Sequence, residues 1–188
     1  MNKITKLLFA FVAVASFSLT SCEPDYVTDG STVPSEAYVK VIYLDNDGNV
    51  TSTKEYSYDK TNSQVSGTRA PKQDAEGNSY TESQIVFAPF EQNPELPSIR
   101  MVFEFLEEEN NYEFNNSFPR NTARIVVNKI NIFDSTEGYI DVSSYDILNN
   151  ASVQDMYFRS RSEFSFFAID SDGKKCKVEG TATTNFKL

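Results

Sequence analysis

The chain has 188 residues, a formal net charge of −10, two Cys, and neither His nor Trp. The lack of His excludes mechanisms built on an imidazole, including Ser-His-Asp and Cys-His nucleophiles and His-ligated zinc, haem or iron. Two Cys, at positions 22 and 176, are too few for a thiolate metal cluster or a disulfide framework. We therefore expect one domain with no cofactor.

The chain begins with the pattern of a secretory leader. Lys3 and Lys6 form a positively charged start, and residues 7–19 are an apolar run interrupted only by Ser16 and Ser18. This run of 13 residues is shorter than the roughly 20 that a membrane-spanning helix needs. The sequence therefore predicts a signal peptide over residues 1–21.

The end of this run, Leu19-Thr20-Ser21-Cys22, resembles the lipobox of bacterial lipoproteins. The resemblance covers the leader alone. It implies that the leader is cut before Cys22, whose sulfur then carries diacylglycerol and whose amine carries a further acyl chain such as palmitate. Two or more chains, at about 0.8 kcal/mol per buried CH₂, anchor a protein stably. The resemblance thus implies lipid attachment at Cys22 and a place in the outer membrane of a Gram-negative bacterium.

The mature chain is strongly acidic. Removing the leader takes Lys3 and Lys6 and no acid from a net charge of −10, which leaves −12. Nucleic acids and anionic lipid headgroups need a basic surface, so this balance disfavours both as partners. We expect the membrane to be contacted through the lipid alone.

Residues 22–36 read as a flexible acidic tether, because the segment EPDYVTDGSTVPSE after Cys22 has two Pro, one Gly and no apolar period. Its 15 residues span at most about 50 Å when extended. Glu23 and Asp25 resemble the export signals of some surface-displayed lipoproteins. The sequence leaves open whether the domain faces the periplasm or the cell surface.

From position 37 to the end, period-two alternation predicts strands with one buried face. In the last segment Cys176, Val178 and Ala182 share one face, and Lys177 and Glu179 lie on the other. Candidate strands cover 38–44, 49–58, 84–88, 99–106, 123–133, 138–144, 155–168 and 175–187. We expect an all-β domain over 37–188, an antiparallel β-sandwich of about eight strands, with a closed lipocalin-like barrel as the alternative.

Two local irregularities are expected within these strands. The apolar phase changes from Ile125 and Val127 to Ile130 and Ile132, which suggests a β-bulge near Asn128-Lys129. Short helical turns are expected around residues 145–154.

Two Asp-Gly segments predict tight hairpin turns, since Asp-Gly supplies the positive φ values that such turns need. They are Asp45-Asn46-Asp47-Gly48-Asn49 and Asp170-Ser171-Asp172-Gly173-Lys174. Both also resemble the start of a calcium loop, but twelve-residue loops from Asp45 and Asp170 would end at Tyr56 and Thr181 rather than at a bidentate Glu. The hairpin interpretation is favoured, with calcium as the alternative.

Few residues stand out as functional. Polar stretches at 59–83, 89–98 and 107–122 are long for connections, and we expect the first to be flexible. The run Glu107-Glu108-Glu109 is interpreted as a solvated edge, and Cys176 as a buried apolar residue. Tyr139, Tyr145 and Tyr157 lie opposite the core positions, where they would either cover a half-buried face or form a stacking platform for a sugar or a protein.

No spacing selects a catalytic pair of carboxylates or a Ser-Lys dyad, so we do not expect an enzyme. The sequence favours a lipid-anchored binding or structural module. It does not identify the ligand, which could be a glycan or a protein, or the oligomeric state. One alternative is a lipocalin-like carrier of an apolar ligand. Another is a subunit of a surface assembly such as a fimbria, in which an exposed strand edge accepts a partner strand.

Overall fold

The computed structural model describes residues 35–106, 111–115, 121–149 and 156–187, and their regular structure is entirely β. The leader, Cys22 and most of the tether lie outside these residues. The strands are β1 (Glu36–Leu44), β2 (Val50–Tyr58), β3 (Ser63–Gln73), β4 (Ser79–Pro89), β5 (Ser98–Glu104), β6 (Asn111–Asn115), β7 (Thr122–Val127), β8 (Asn131–Asn149), β9 (Met156–Asp170) and β10 (Lys175–Lys187).

These strands form a single sheet that curls into a partly closed ring. Its hydrogen-bonded order is β2-β1-β10-β3-β4-β5-β7-β8-β6, and β9 pairs with both β8 and β10. The pairs are antiparallel except for a short parallel contact between β10 and β3 at Phe186↔Gly67 and Lys187↔Thr68. That contact closes the ring. The hairpin β1–β2 and strand β6 branch from it, so the closure is uneven.

The antiparallel all-β prediction is confirmed, while two details of the predicted sandwich are wrong. The described strands number ten rather than about eight, and they belong to one sheet rather than two. The long strands β8 and β10 explain the difference, because each holds two partners in succession along one edge. β10 pairs with β1 up to Thr183 and with β3 at its end, and β8 pairs first with β7 and then with β6.

Side chains from opposite walls of the ring meet in its interior. Phe87 of β4 contacts Tyr58 of β2 and Phe164 of β9, with ring centroids 5.3 and 5.9 Å apart. Phe103 of β5 lies 4.7 Å from Tyr112 of β6. These aromatic contacts fill the centre with side chains and make the two sides of the sheet depend on each other for burial.

The expected β-bulge at Asn128-Lys129 is wrong. Asn128 and Lys129 have φ of +53° and +63°, and the Ile130 N–H donates to the Val127 carbonyl over 3.3 Å, as in a type I′ hairpin turn between β7 and β8. The apparent phase change reflects a reversal of the chain direction. Ile130, next to the turn, is 77% exposed, so it never belonged to the buried set.

Two further local expectations are wrong. The polar stretch 59–83 contains β3 and the start of β4 rather than a flexible loop. The helical turns expected around 145–154 are replaced by strand up to residue 149, and residues 150–154 lie outside the described part. In the first segment, Ser and Thr residues weaken the apolar alternation, although Ser63 and Ser83 are buried in the ring.

Candidate functional site

Three similar turns connect hairpins of the sheet, and two of them were predicted. In each, the first Asp carbonyl accepts the N–H of a Gly with positive φ: Gly48, Gly77 and Gly173, at +86°, +89° and +81°. The Asp45 carboxylate accepts the N–H groups of Asp47 and Asn49 at 3.0 and 2.8 Å. These hydrogen bonds lower the pKa of Asp45, those from Asn49 most strongly. The hairpin interpretation of both predicted turns is confirmed.

The carboxylate of Asp170 is occupied in the same way, by the N–H groups of Asp172 at 2.9 Å and Lys174 at 2.8 Å. Within the described ranges, no three acidic or Cys side chains gather into a set of metal ligands. The third turn, from Asp74 to Asn78, was missed because its segment was expected to be a loop.

The end of the ring that carries the turns at 45–49, 128–130 and 170–174 opens into a cleft of about 400 Å³. We call it the turn-end cleft. Its volume falls within the roughly 300–1,000 Å³ of small-molecule sites. It is lined by Tyr43, Leu44, Thr51, Ser52, Lys54, Val127, Asn128, Asn131, Phe133, Asp170, Lys174 and Lys175.

An aromatic pair forms the base of the turn-end cleft. Tyr43, near the end of β1, meets Phe133 of β8 edge to face, with centroids 6.5 Å apart. Phe133 is buried, whereas Tyr43 is only half-buried. Burial raises the pKa of Tyr43 to about 12, with a smaller contribution from its neighbour Tyr56. The Tyr43 hydroxyl therefore stays protonated at neutral pH.

The wall of the cleft carries more positive than negative charge. Lys54, Lys174 and Lys175 line it, against one acid, Asp170, which its own turn occupies. Within the described part of the chain, neither Lys54 nor Lys175 forms an ion pair. Lys174 lies 3.5 Å from Asp172, but both side chains are about two-thirds exposed, so their attraction is weak. A local excess of cations thus stands out on an acidic chain.

The register of the sheet determines the face of β2 on which Lys54 lies. It pairs with Val41 of β1, whose side chain is buried in the ring, so Lys54 lies on the interior face of β2. β2 is an edge strand that pairs with β1 alone in the described sheet, and Lys54 is exposed. The register therefore turns a charged residue of an edge strand toward the cleft.

Of the three tyrosines proposed as a platform, only Tyr139 has a described side chain. It lines a groove of about 610 Å³ on the outer face with Phe167 and Lys177. The Lys177 Nζ lies 5.7 Å from the centre of the Phe167 ring. Tyr145 and Tyr157 belong to β8 and β9, but their side chains lie outside the described part, as do Glu107-Glu108-Glu109. The platform stays a prediction.

Two other residues with reactive or charged side chains, Cys176 and Arg69, are part of the packing of the domain. Cys176 is fully buried, which confirms its interpretation as an apolar core residue, and burial raises the pKa of its thiol to about 12. The Arg69 guanidinium lies 3.5 Å from the centre of the Phe105 ring, and its Nε donates to the Ser83 hydroxyl at 3.2 Å. Desolvation lowers the pKa of Arg69 to about 10, so it stays charged at neutral pH.

The sequence could place only part of the turn-end cleft. The predicted turns at 45–49 and 170–174 bring Tyr43 and Lys174 to strand ends. Phe133 was expected at the end of one long strand, so nothing signalled that it would lie beside Tyr43. The reversal at Asn128-Lys129 was the missing information.

No protein-family model, curated protein or solved structure matches this chain. Among the described residues no helix is long and apolar enough to cross a membrane. Functional inference therefore depends on the leader, the fold and the cleft.

Proposed function

We propose that the chain is a lipoprotein of the bacterial outer membrane, anchored through Cys22, whose β domain is a binding module. Support for the anchor comes from the leader and from the motif Leu19-Thr20-Ser21-Cys22. Support for binding comes from the turn-end cleft, which combines a half-buried aromatic base with exposed cations. No catalytic role is proposed.

The direction of β1 is the observation that carries this proposal. The tether enters the domain at Glu36, and the same strand ends at Leu44 in the wall of the cleft. A strand of nine residues spans about 27 Å. The tether therefore joins the domain at the end of β1 that is remote from the cleft, which leaves the cleft free of the attachment point.

Fractionation of cell envelopes tests the proposal. The wild type is expected in the outer-membrane fraction, and Cys22→Ser in the soluble fraction, because the variant cannot receive the thioether-linked lipid. Both proteins should unfold at the same temperature, since Cys22 is predicted to belong to the tether rather than to the β domain. Equal recovery of Cys22→Ser in the membrane would contradict the proposal. Protease treatment of intact cells then separates the two faces: degradation indicates surface display, and survival indicates the periplasmic face.

The two alternatives receive less support. A carrier of apolar ligands needs an open interior, whereas aromatic rings from opposite walls here touch one another. A subunit that accepts a partner strand needs an available edge, and β2 pairs with β1 alone in the described sheet. However, Lys54 and Glu55 lie in the middle of β2, and charges at such positions discourage strand addition. The packed binding module is therefore preferred.

A further inference from the structure

We infer that the turn-end cleft binds an acidic saccharide, a sugar that carries a carboxylate. This inference rests on the proposed function of a binding module and names the class of its ligand. Three properties of the cleft lead to it: its charge, its neutral polar groups and its aromatic base.

The charge of the cleft selects an anion. Lys54 forms no ion pair in the described structure, and Lys174 has only its exposed contact with Asp172. These two lysines come from β2 and from the β9–β10 turn, and both border one cavity of about 400 Å³. Lys175 borders the same cavity from the outer face of β10, since it pairs with Leu44 and the next residue, Cys176, is buried. A ligand carboxylate in this cavity would pair with Lys54 and Lys174.

The neutral polar groups favour a ligand with several hydroxyls. Asn128 lies in the β7–β8 turn and Asn131 begins β8. Thr51 and Ser52 line the cleft from β2, where the Thr51 hydroxyl already donates to the Tyr43 carbonyl at 3.1 Å. Amides both donate and accept hydrogen bonds, and so do hydroxyls, which suits the mixed requirements of sugar hydroxyl groups. A simple inorganic anion would use the lysines and leave the two amides and the Ser52 hydroxyl to solvent.

The aromatic base supplies the remaining contact. Tyr43 is held by Phe133 on one side and is half-exposed to the cleft. An aromatic ring fixed in this way offers an apolar surface to the C–H groups of a sugar at little cost in side-chain entropy. Together with the lysines, it matches a ligand with one apolar face and a carboxylate at its rim.

Calorimetric titration of the detergent-solubilised mature lipoprotein tests this inference. The probe is tetragalacturonate, compared with the neutral tetragalactose, a sulfated disaccharide and tetraglutamate. We expect tetragalacturonate to bind at least tenfold more tightly than each of the others. Raising NaCl from about 50 to about 500 mM should weaken its binding severalfold, because the cations are exposed.

A matched pair of double variants identifies the site. Lys54→Met with Lys174→Met removes two cleft charges and should weaken tetragalacturonate binding about tenfold. Lys60→Met with Lys72→Met changes the net charge equally at exposed positions outside the cleft, and should leave the affinity within twofold of wild type. All four substitutions are at exposed residues, so both proteins should fold.

The inference is overturned if no probe binds, if tetragalactose binds as well as tetragalacturonate, or if the two double variants behave alike. Equal binding of the sulfated sugar or of tetraglutamate would also overturn it, since the cleft would then select anions in general or acidic peptides. Fractionation of the same cells tests the lipid anchor separately. Failure of the saccharide inference can therefore be distinguished from failure of the proposed lipoprotein function.

Discussion

The ring of Phe186 lies directly on Gly67, at the parallel contact through which β10 meets β3. A Cβ placed on Gly67 would lie 2.8 Å from the Phe186 ring, well inside normal packing distance. Closure of the sheet into a ring therefore depends on a position without a side chain. This is a packing requirement, since the fully buried Phe186 needs the space that Gly67 leaves.

Gly67→Ala is expected to destabilise the domain by about 1–2 kcal/mol, because overpacking at the closure outweighs the gain from replacing Gly in a strand. Urea unfolding followed by tyrosine fluorescence measures the change. In a Phe186→Leu background, where a smaller side chain leaves room, the same substitution should cost clearly less. Equal costs in both backgrounds would show that the Phe186 ring does not impose the requirement.

Lys129→Gly is expected to stabilise the protein by about 0.5–1 kcal/mol. Lys129 adopts a φ of +63° in the β7–β8 turn, which strains an ordinary side chain but not Gly, and Asn-Gly is the preferred pair of a type I′ turn. The control is Lys129→Ala, which removes the same charge but keeps a Cβ. If Ala stabilised as much as Gly, the effect would come from charge rather than backbone geometry.

Cys176 is expected to resist thiol reagents in the folded protein. Its side chain is fully buried, so a reagent cannot reach the sulfur. Burial also raises the pKa of the thiol to about 12, so little reactive thiolate is present at pH 8. Ellman's reagent should find no reactive thiol in the native mature protein and one in urea; Cys176→Ala should give none in either state. A thiol that still reacts in Cys176→Ala would reveal an unmodified Cys22.

Stability is expected to fall as the pH rises from about 10 to about 12. In the folded state burial raises the pKa of Tyr43 to about 12, whereas unfolding restores its ordinary value near 10. Over this window the unfolded chain loses a proton that the folded chain keeps, so unfolding is favoured as pH rises. Urea unfolding of Tyr43→Phe should show a shallower decline than wild type, and parallel curves would contradict the assigned cause.

Strands were predicted correctly where their buried positions are apolar, and were missed where those positions are small or polar. Strands with strong alternation, such as β1 and β10, were predicted within two residues because their buried faces carry apolar side chains. β3 was missed because its inward positions include Ser63 and Gly67, which are buried without being apolar. Single-sequence patterns record polarity, whereas the register that buries a Ser depends on the strand beside it.

The turn-end cleft could not be predicted from the sequence for a related reason. It is assembled from three hairpin ends that are distant in the chain, and one of them, at Asn128-Lys129, lacks the Asp-Gly signal of the other two. A type I′ turn with Lys at its second central position lacks the Asn-Gly or Asp-Gly pair by which such turns are recognised in a sequence. Long-range assembly, rather than an unusual motif, brings Tyr43 beside Phe133.

The central claim, that this domain is held at the membrane by lipid on one thiol, is tested most directly by labelling growing cells with radioactive palmitate. The proposal predicts a labelled band for the wild type and none for Cys22→Ser, with Cys176→Ala labelled as strongly as wild type. An unlabelled wild type, or a Cys22→Ser variant that still carries the label, would contradict it.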